Sequence, residues 1–110
     1  MCIRDSSLGA NTTGDSDTAL GMNALFANTT ADSNTAVGTS ALQSNTTGTL
    51  NVALGALALD ANVTGTADTA IGYDALSACT TDGNTAVGKD ALELNTAGIN
   101  TAVGLSLIHI

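Results

Sequence analysis

The side chains of this 110-residue chain that could do chemistry are few, and most are acids: ten Asp and Glu stand against Arg4, Lys89 and a single histidine, His109. Paired carboxylates doing acid–base work need distinct environments that drive their pKa values apart. Here the acids recur at equivalent positions of a repeat, Asp17 with Asp68 and Asp74 with Asp90, so each meets the surroundings of its copy. There is no Gly-x-Ser-x-Gly nucleophile turn and no Cys–His pair within the repeats. Asp15, Asp17, Asp32, Asp68 and Asp82 crowd one turn edge, but the Gly- and Asp-rich nonapeptide of calcium-binding solenoids is missing. They are expected to be solvated turn acids, with at most weak, non-specific affinity for divalent ions. Phosphate loops, metal fingers and nucleic-acid motifs are absent too. The reading therefore assigns no catalytic, cofactor-binding or metal-ligating residue, implies no cofactor, and does not expect an enzyme.

Three further features have plain explanations. Asn11, Asn28, Asn45 and Asn62 each precede a Thr by two positions, matching a glycosylation acceptor, yet the turns need Asn and Thr anyway and the repeat copies the match. Cys79 stands in an Asn slot and is expected to be a buried thiol, the alternative being an interchain bond at a seam between subunits. The net charge of −8 disfavours nucleic acid and anionic membrane, which need Lys or Arg to displace counterions. Nor is there an apolar run long enough to insert in a membrane.

Both ends depart from the rest. Met1-Cys2-Ile3-Arg4-Asp5-Ser6 and Leu105-Ser106-Leu107-Ile108-His109-Ile110 back-translate into reverse complements of each other. They look like the transposon end used in preparing sequencing libraries, translated in error. Residues 1–6 and 105–110 are accordingly set aside as an artefact, like a cloning scar. Arg4, Cys2 and His109 go with them, and the hexapeptides are expected to make no stable contacts with the repeats.

Between them, residues 7–104 are an array. A five-residue core recurs as Asp17-Thr18-Ala19-Leu20-Gly21, Asn34-Thr35-Ala36-Val37-Gly38, Asn51-Val52-Ala53-Leu54-Gly55, Asp68-Thr69-Ala70-Ile71-Gly72, Asn84-Thr85-Ala86-Val87-Gly88 and Asn100-Thr101-Ala102-Val103-Gly104. Its spacing is 17 residues three times and then 16 twice. Ala-Leu follows each of the first five glycines, and an Asn-headed turn follows the Leu at Asn28, Asn45, Asn62 and Asn95. Leu8 and Asn11-Thr12-Thr13-Gly14 are the tail of an earlier copy.

Thr-Ala-aliphatic suits a short strand, the Gly closes it, and Asn-Thr-Thr-Gly is turn chemistry. One such unit cannot bury its own apolar side, whereas stacked copies can. With one Phe, one Tyr, no Trp and no Pro, the composition fits a thin coil better than a thick core. The expected fold is all-β: a parallel β-solenoid of about six 16–17-residue coils, each one short strand plus one helical turn or bend. The strand aliphatics (Leu20, Val37, Leu54, Ile71, Val87, Val103) and the bend leucines (Leu25, Leu42, Leu59, Leu76, Leu92) are both expected in the core. The Asn/Asp column at 17, 34, 51, 68, 84 and 100 is expected to form side-chain ladders. Alternation leaves a second arrangement open, with Ala inside and Thr and the aliphatics facing a partner chain.

The run Asn-Thr-Ala-Val-Gly…Ala-Leu…Asn-Thr-Thr-Gly resembles repeats of phage tail-fibre-like and bacterial surface proteins, and in style the heads of trimeric autotransporter adhesins. The resemblance covers residues 8–104. It implies a parallel β-solenoid that is often a homotrimer. The expected function is the structural or adhesive part of an extracellular or virion fibre, at a virion or bacterial cell surface. Its receptor would be a host-surface glycan or protein, engaged through repeat-breaking positions such as Met22-Asn23, Thr39-Ser40, Tyr73-Asp74 and Lys89-Asp90. The alternatives are a passive stalk spacing a distal enzymatic or chaperone domain and, through the Thr columns, an ice-binding solenoid.

Overall fold

A computed structural model describes residues 7–106; residues 1–6 and 107–110, with most of the two terminal hexapeptides, lie outside the described residues. Six three-residue strands follow in chain order: β1 (Thr18–Leu20), β2 (Thr35–Val37), β3 (Val52–Leu54), β4 (Thr69–Ile71), β5 (Thr85–Val87) and β6 (Thr101–Val103). Each pairs in parallel with the next, residue on equivalent residue, in one sheet of order β1-β2-β3-β4-β5-β6. The six strands are thus joined by about five complete turns of a parallel β-solenoid. Register holds across the change from 17 to 16 residues, because the missing residue is lost from the turn between Cys79 and β5.

Bonding between coils runs around the whole circumference. Strand-flanking amides pair downward, as Thr35 N to Asn51 O at 2.8 Å, and the closing glycines pair upward, as Gly55 N to Val37 O at 2.8 Å. The bends contribute Leu42 N to Ala58 O at 3.0 Å, and the turns Thr46 N to Val63 O at 2.9 Å. Backbone polar groups of a chain with so little regular secondary structure are satisfied by its own neighbours in this way.

After each strand the chain bends rather than coiling into a helical turn. Ala24 N donates to Gly21 O and Phe26 N to Asn23 O, both at 3.3 Å, closing two overlapping β-turns. Their third positions, Asn23 at φ 61° and Leu25 at φ 50°, lie in the left-handed region, as a type II turn requires. The same pair recurs at Ser40 and Leu42, Leu57 and Leu59, Asp74 and Leu76, and Asp90 and Leu92. A leucine in this conformation is strained, and burial of its side chain offsets the strain: all five bend leucines are buried.

The core also corrects the expected columns. Leu25, Leu42, Leu59, Leu76 and Leu92 are interior, but the strand aliphatics are not: Leu20, Leu54, Ile71 and Val103 are exposed, and Val37 and Val87 half-buried. The strand residue that turns inward is alanine: Ala19, Ala36, Ala53, Ala70 and Ala86 are fully buried. They meet the bend alanines and leucines in one continuous cluster. Only one aliphatic row fits between strand and bend, and the leucines fill it, so a second row inside would overpack the coil. Three-residue strands with a single inward position leave their two flanking residues outside.

The glycines show how closely the coils approach. Gly38 and Gly55 have φ of 134° and 139°, where a side chain is strained, and a Cβ on Gly38 would lie 2.6 Å from the carbonyl of Gly55 below it. At the ends of the array, Leu8 joins the leucine column with φ 49° and donates its N–H to Ala24 O, as expected of a remnant repeat. Contrary to the expectation of no contacts, Ser106 donates its N–H to Lys89 O at 2.8 Å. That bond needs only a backbone amide in register, whatever the side chain.

Candidate functional site

The outer face of the sheet is left uncovered by the rest of the fold. Two rows run along it at full register: Thr18, Thr35, Val52, Thr69, Thr85 and Thr101, and beside them Leu20, Val37, Leu54, Ile71, Val87 and Val103. Steps along each row follow the coil spacing of about 4.8 Å, and the rows stand about 6.6 Å apart, two residues along a strand. Although the chain carries a net charge of −8, no charged side chain belongs to either row. Leu54 is 46% exposed and Val52 38%. A charge-free surface of this kind can exclude water against a matching surface, and it offers no group for covalent chemistry.

Beside it runs the row just past the glycines. Met22, Thr39, Tyr73 and Lys89 are exposed there, while Asn23, Asp74 and Asp90 are half-buried and Ser40 is buried. Of the four dipeptides singled out for recognition, the first residue of each is therefore the accessible one. Lys89 lies one coil below Tyr73, its Nζ 5.5 Å from the ring centre, and it forms an ion pair with Asp90. That hydrogen bond to Asp90 raises the Lys89 pKa above its ordinary value. The Lys89 end of the pair is exposed to solvent, so its contribution to stability is small.

The turn acids divide. Asp32 Oδ1 accepts the Asp15 amide at 2.8 Å and Asp82 Oδ1 the Thr66 amide at 2.9 Å, so these exposed carboxylates also tie one coil to the next. Asp68, expected among solvated turn acids, is instead fully buried, and Asp17 half-buried. The expectation failed because the residue before each strand turns into the coil, where it joins a hydrogen-bonded column. Burial raises the pKa of Asp17, Asp60 and Asp68, with Asp74 adding to the rise at Asp60. Among the described residues no three His, Cys, Asp or Glu side chains gather as a metal site would require.

Two polar columns fill the remaining interior. In the first, Asn34 Oδ1 accepts the Asn51 amide at 3.1 Å and Asn51 Oδ1 the Asp68 amide at 2.9 Å, a ladder of the expected kind. In the second, Asn45 Nδ2 donates to Asn28 Oδ1 at 3.3 Å, and both side chains are fully buried. Asn28, Asn45 and Asn62 thus spend the amide a glycan would need on interior bonds, which favours the turn reading of their Asn-x-Thr pattern. Cys79, also buried, takes the Asn place in this second column, and burial raises its pKa. Sequence reasoning placed both columns but missed their burial, since Asn normally signals a surface turn. No protein-family model, curated protein or solved structure matches the chain.

Proposed function

We propose that this chain is a segment of an extracellular or virion fibre, part of its shaft or head, in which copies associate through the Thr/aliphatic sheet face, three around a common axis. The observation that carries the reading is that face itself: two registered, charge-free rows, half-buried to exposed, running the length of a solenoid bonded around its circumference. Burial of apolar surface there would stabilise an assembly at roughly 25 cal/mol per Å². Each added coil extends the face, so a longer array binds its partners more tightly. Attachment to a host-surface glycan or protein would use the accessible post-glycine row, where Tyr73 and Lys89 break the repeat.

Sedimentation equilibrium of the chain tests the assembly: a trimer that dissociates in Leu54→Glu supports it, and a folded, cooperative monomer at micromolar concentration overturns it. A second reading gains from the same observation, because a Thr row on the outer sheet face could order water as ice-binding solenoids do. Val52 interrupts that row, and its neighbour row is aliphatic. Thermal hysteresis from a monomer, lost in Thr69→Tyr, would transfer the face to that reading.

A further inference from the structure

Both polar columns change chemistry at one level of the stack. At the two levels above, a single turn carbonyl receives two amide hydrogens, one from each column. Gly48 O accepts from Asn34 Nδ2 and from Asn45 Nδ2, both at 2.9 Å. Gly65 O accepts from Asn51 Nδ2 at 2.8 Å and from Asn62 Nδ2 at 3.1 Å. At the next level neither amide exists, because Asp68 stands in the first column and Cys79 in the second. This is also where the repeat shortens from 17 to 16 residues.

The surroundings rearrange to suit. Cys79 Sγ makes a long contact to Thr81 O at 3.3 Å. Asn84 turns its amide back, giving Nδ2 to Thr81 O three residues earlier at 2.9 Å and to Asp68 Oδ1 in the coil above at 3.0 Å. Asp68 Oδ1 also accepts the Asn84 backbone amide at 2.7 Å. Asp68 Oδ2, buried, has no partner. Its counterpart in the coil above is an amide nitrogen, a donor, and a carboxylate oxygen cannot replace it while ionised.

No cation answers the charge. Asn51 faces Asp68 from the coil above and Asn84 from the coil below; the turn alongside contributes Cys79, whose thiol burial keeps neutral, and Asp82, a second acid. The described residues hold one ion pair, and it belongs to Lys89 and Asp90 on the surface. A buried carboxylate with one bare oxygen, near another acid and with no ion-pair partner among the described residues, is costly, whereas the neutral acid buries no charge.

We infer that the level of Asp68 and Cys79 is an acid-tightened joint: Asp68 keeps its proton in the stacked fold, and this level of the solenoid loosens as the pH rises. The sign follows from linkage. Burial raises the Asp68 pKa above its ordinary 3.8, so the folded chain holds the proton more tightly than the unfolded one. The associated stability is complete below the unfolded value and is lost as pH climbs through the folded value. The joint depends on no particular role for the strand face and holds for a monomer or an assembly.

The test compares melting of the full chain with that of Asp68→Asn and of Glu93→Gln, which removes one charge from a half-buried acid outside both polar columns. Asp68→Asn supplies the donor that the first column lacks. Its melting temperature should match the native chain's near about pH 3 and exceed it by a margin that widens toward about pH 8, with no such widening for Glu93→Gln. Equal behaviour of the two variants would assign the trend to net charge and overturn the joint. So would a uniform destabilisation by Asp68→Asn. A carbon-13 carboxyl titration reads the same point directly: Asp68 should titrate above the ordinary aspartate value of 3.8, and titration at or below that value would also overturn the inference.

Discussion

Each strand has one side governed by packing and one left to the surroundings, and the contrast organises the molecule. Inward, Ala36, Ala53, Ala70 and Ala86 repeat without variation and are fully buried. Outward, the same strands carry Thr or Val at one position and Leu, Val or Ile at the other. The inner position has space for one methyl group. The outer positions need only β-propensity and an uncharged side chain that stacks on its copy. On the strands, small residues are therefore demanded where the solenoid is tight and the larger aliphatics lie outside, while the large interior side chains come from the bends.

That contrast is easiest to break from the inside. Leu59→Ala empties the one aliphatic row of the interior and should cost about 2–5 kcal/mol, read from chemical denaturation. Because stability in a stack is a sum of coils and their interfaces, the melt should separate into the two halves either side of the gap. A single unchanged transition would place Leu59 outside the core.

Gly55→Ala tests the approach of the coils rather than their filling. With φ of 139° and a Cβ only 2.6 Å from the carbonyl carbon of Gly72, the variant must strain one backbone and displace another. The expected cost is about 1–3 kcal/mol. An unaltered melting temperature would count against this placement of the bend.

Asn51→Ala addresses the polar interior. It removes the donor to Gly65 O and leaves the buried Asp68 amide without an acceptor, for an expected loss of about 1–3 kcal/mol. Hydrogen exchange should speed up first at the Asp68 amide. Exchange unchanged there would show that the side-chain ladder does not protect the coil junction.

Outside, the effects on the single chain should be small. Ile71→Ser, on the exposed face, should alter monomer stability by no more than about 0.5 kcal/mol, while sedimentation shows weaker self-association. Loss of folding would mean that the outer row is needed by the coil itself. The smallest change belongs to Leu50, 63% exposed with φ 62°. Asn tolerates that conformation, so Leu50→Asn should be neutral or stabilise by less than about 1 kcal/mol.

The array was legible in the residues alone because repetition is a statement about translation along an axis. Thr-Ala-aliphatic-Gly at steps of 17 and 16 located all six strands and their order, and the equality of the repeats fixed their parallel, in-register pairing. The Asn and Leu columns and the special place of the glycines followed likewise. What repetition could not supply was direction across the coil. Turning each strand half a revolution about its axis leaves every column intact, and hydrophobicity favoured the wrong choice, since Val and Leu outrank Ala. Only the tertiary structure decided it, through volume: a bend folded back by left-handed residues at Asn23 and Leu25 leaves a gap that its own leucine fills, and the strand opposite has room for Ala19 and nothing larger. The same closure carried Asn28, Asn34 and Asp68 from apparent surface turns into the interior, where their hydrogen bonds replace those of water.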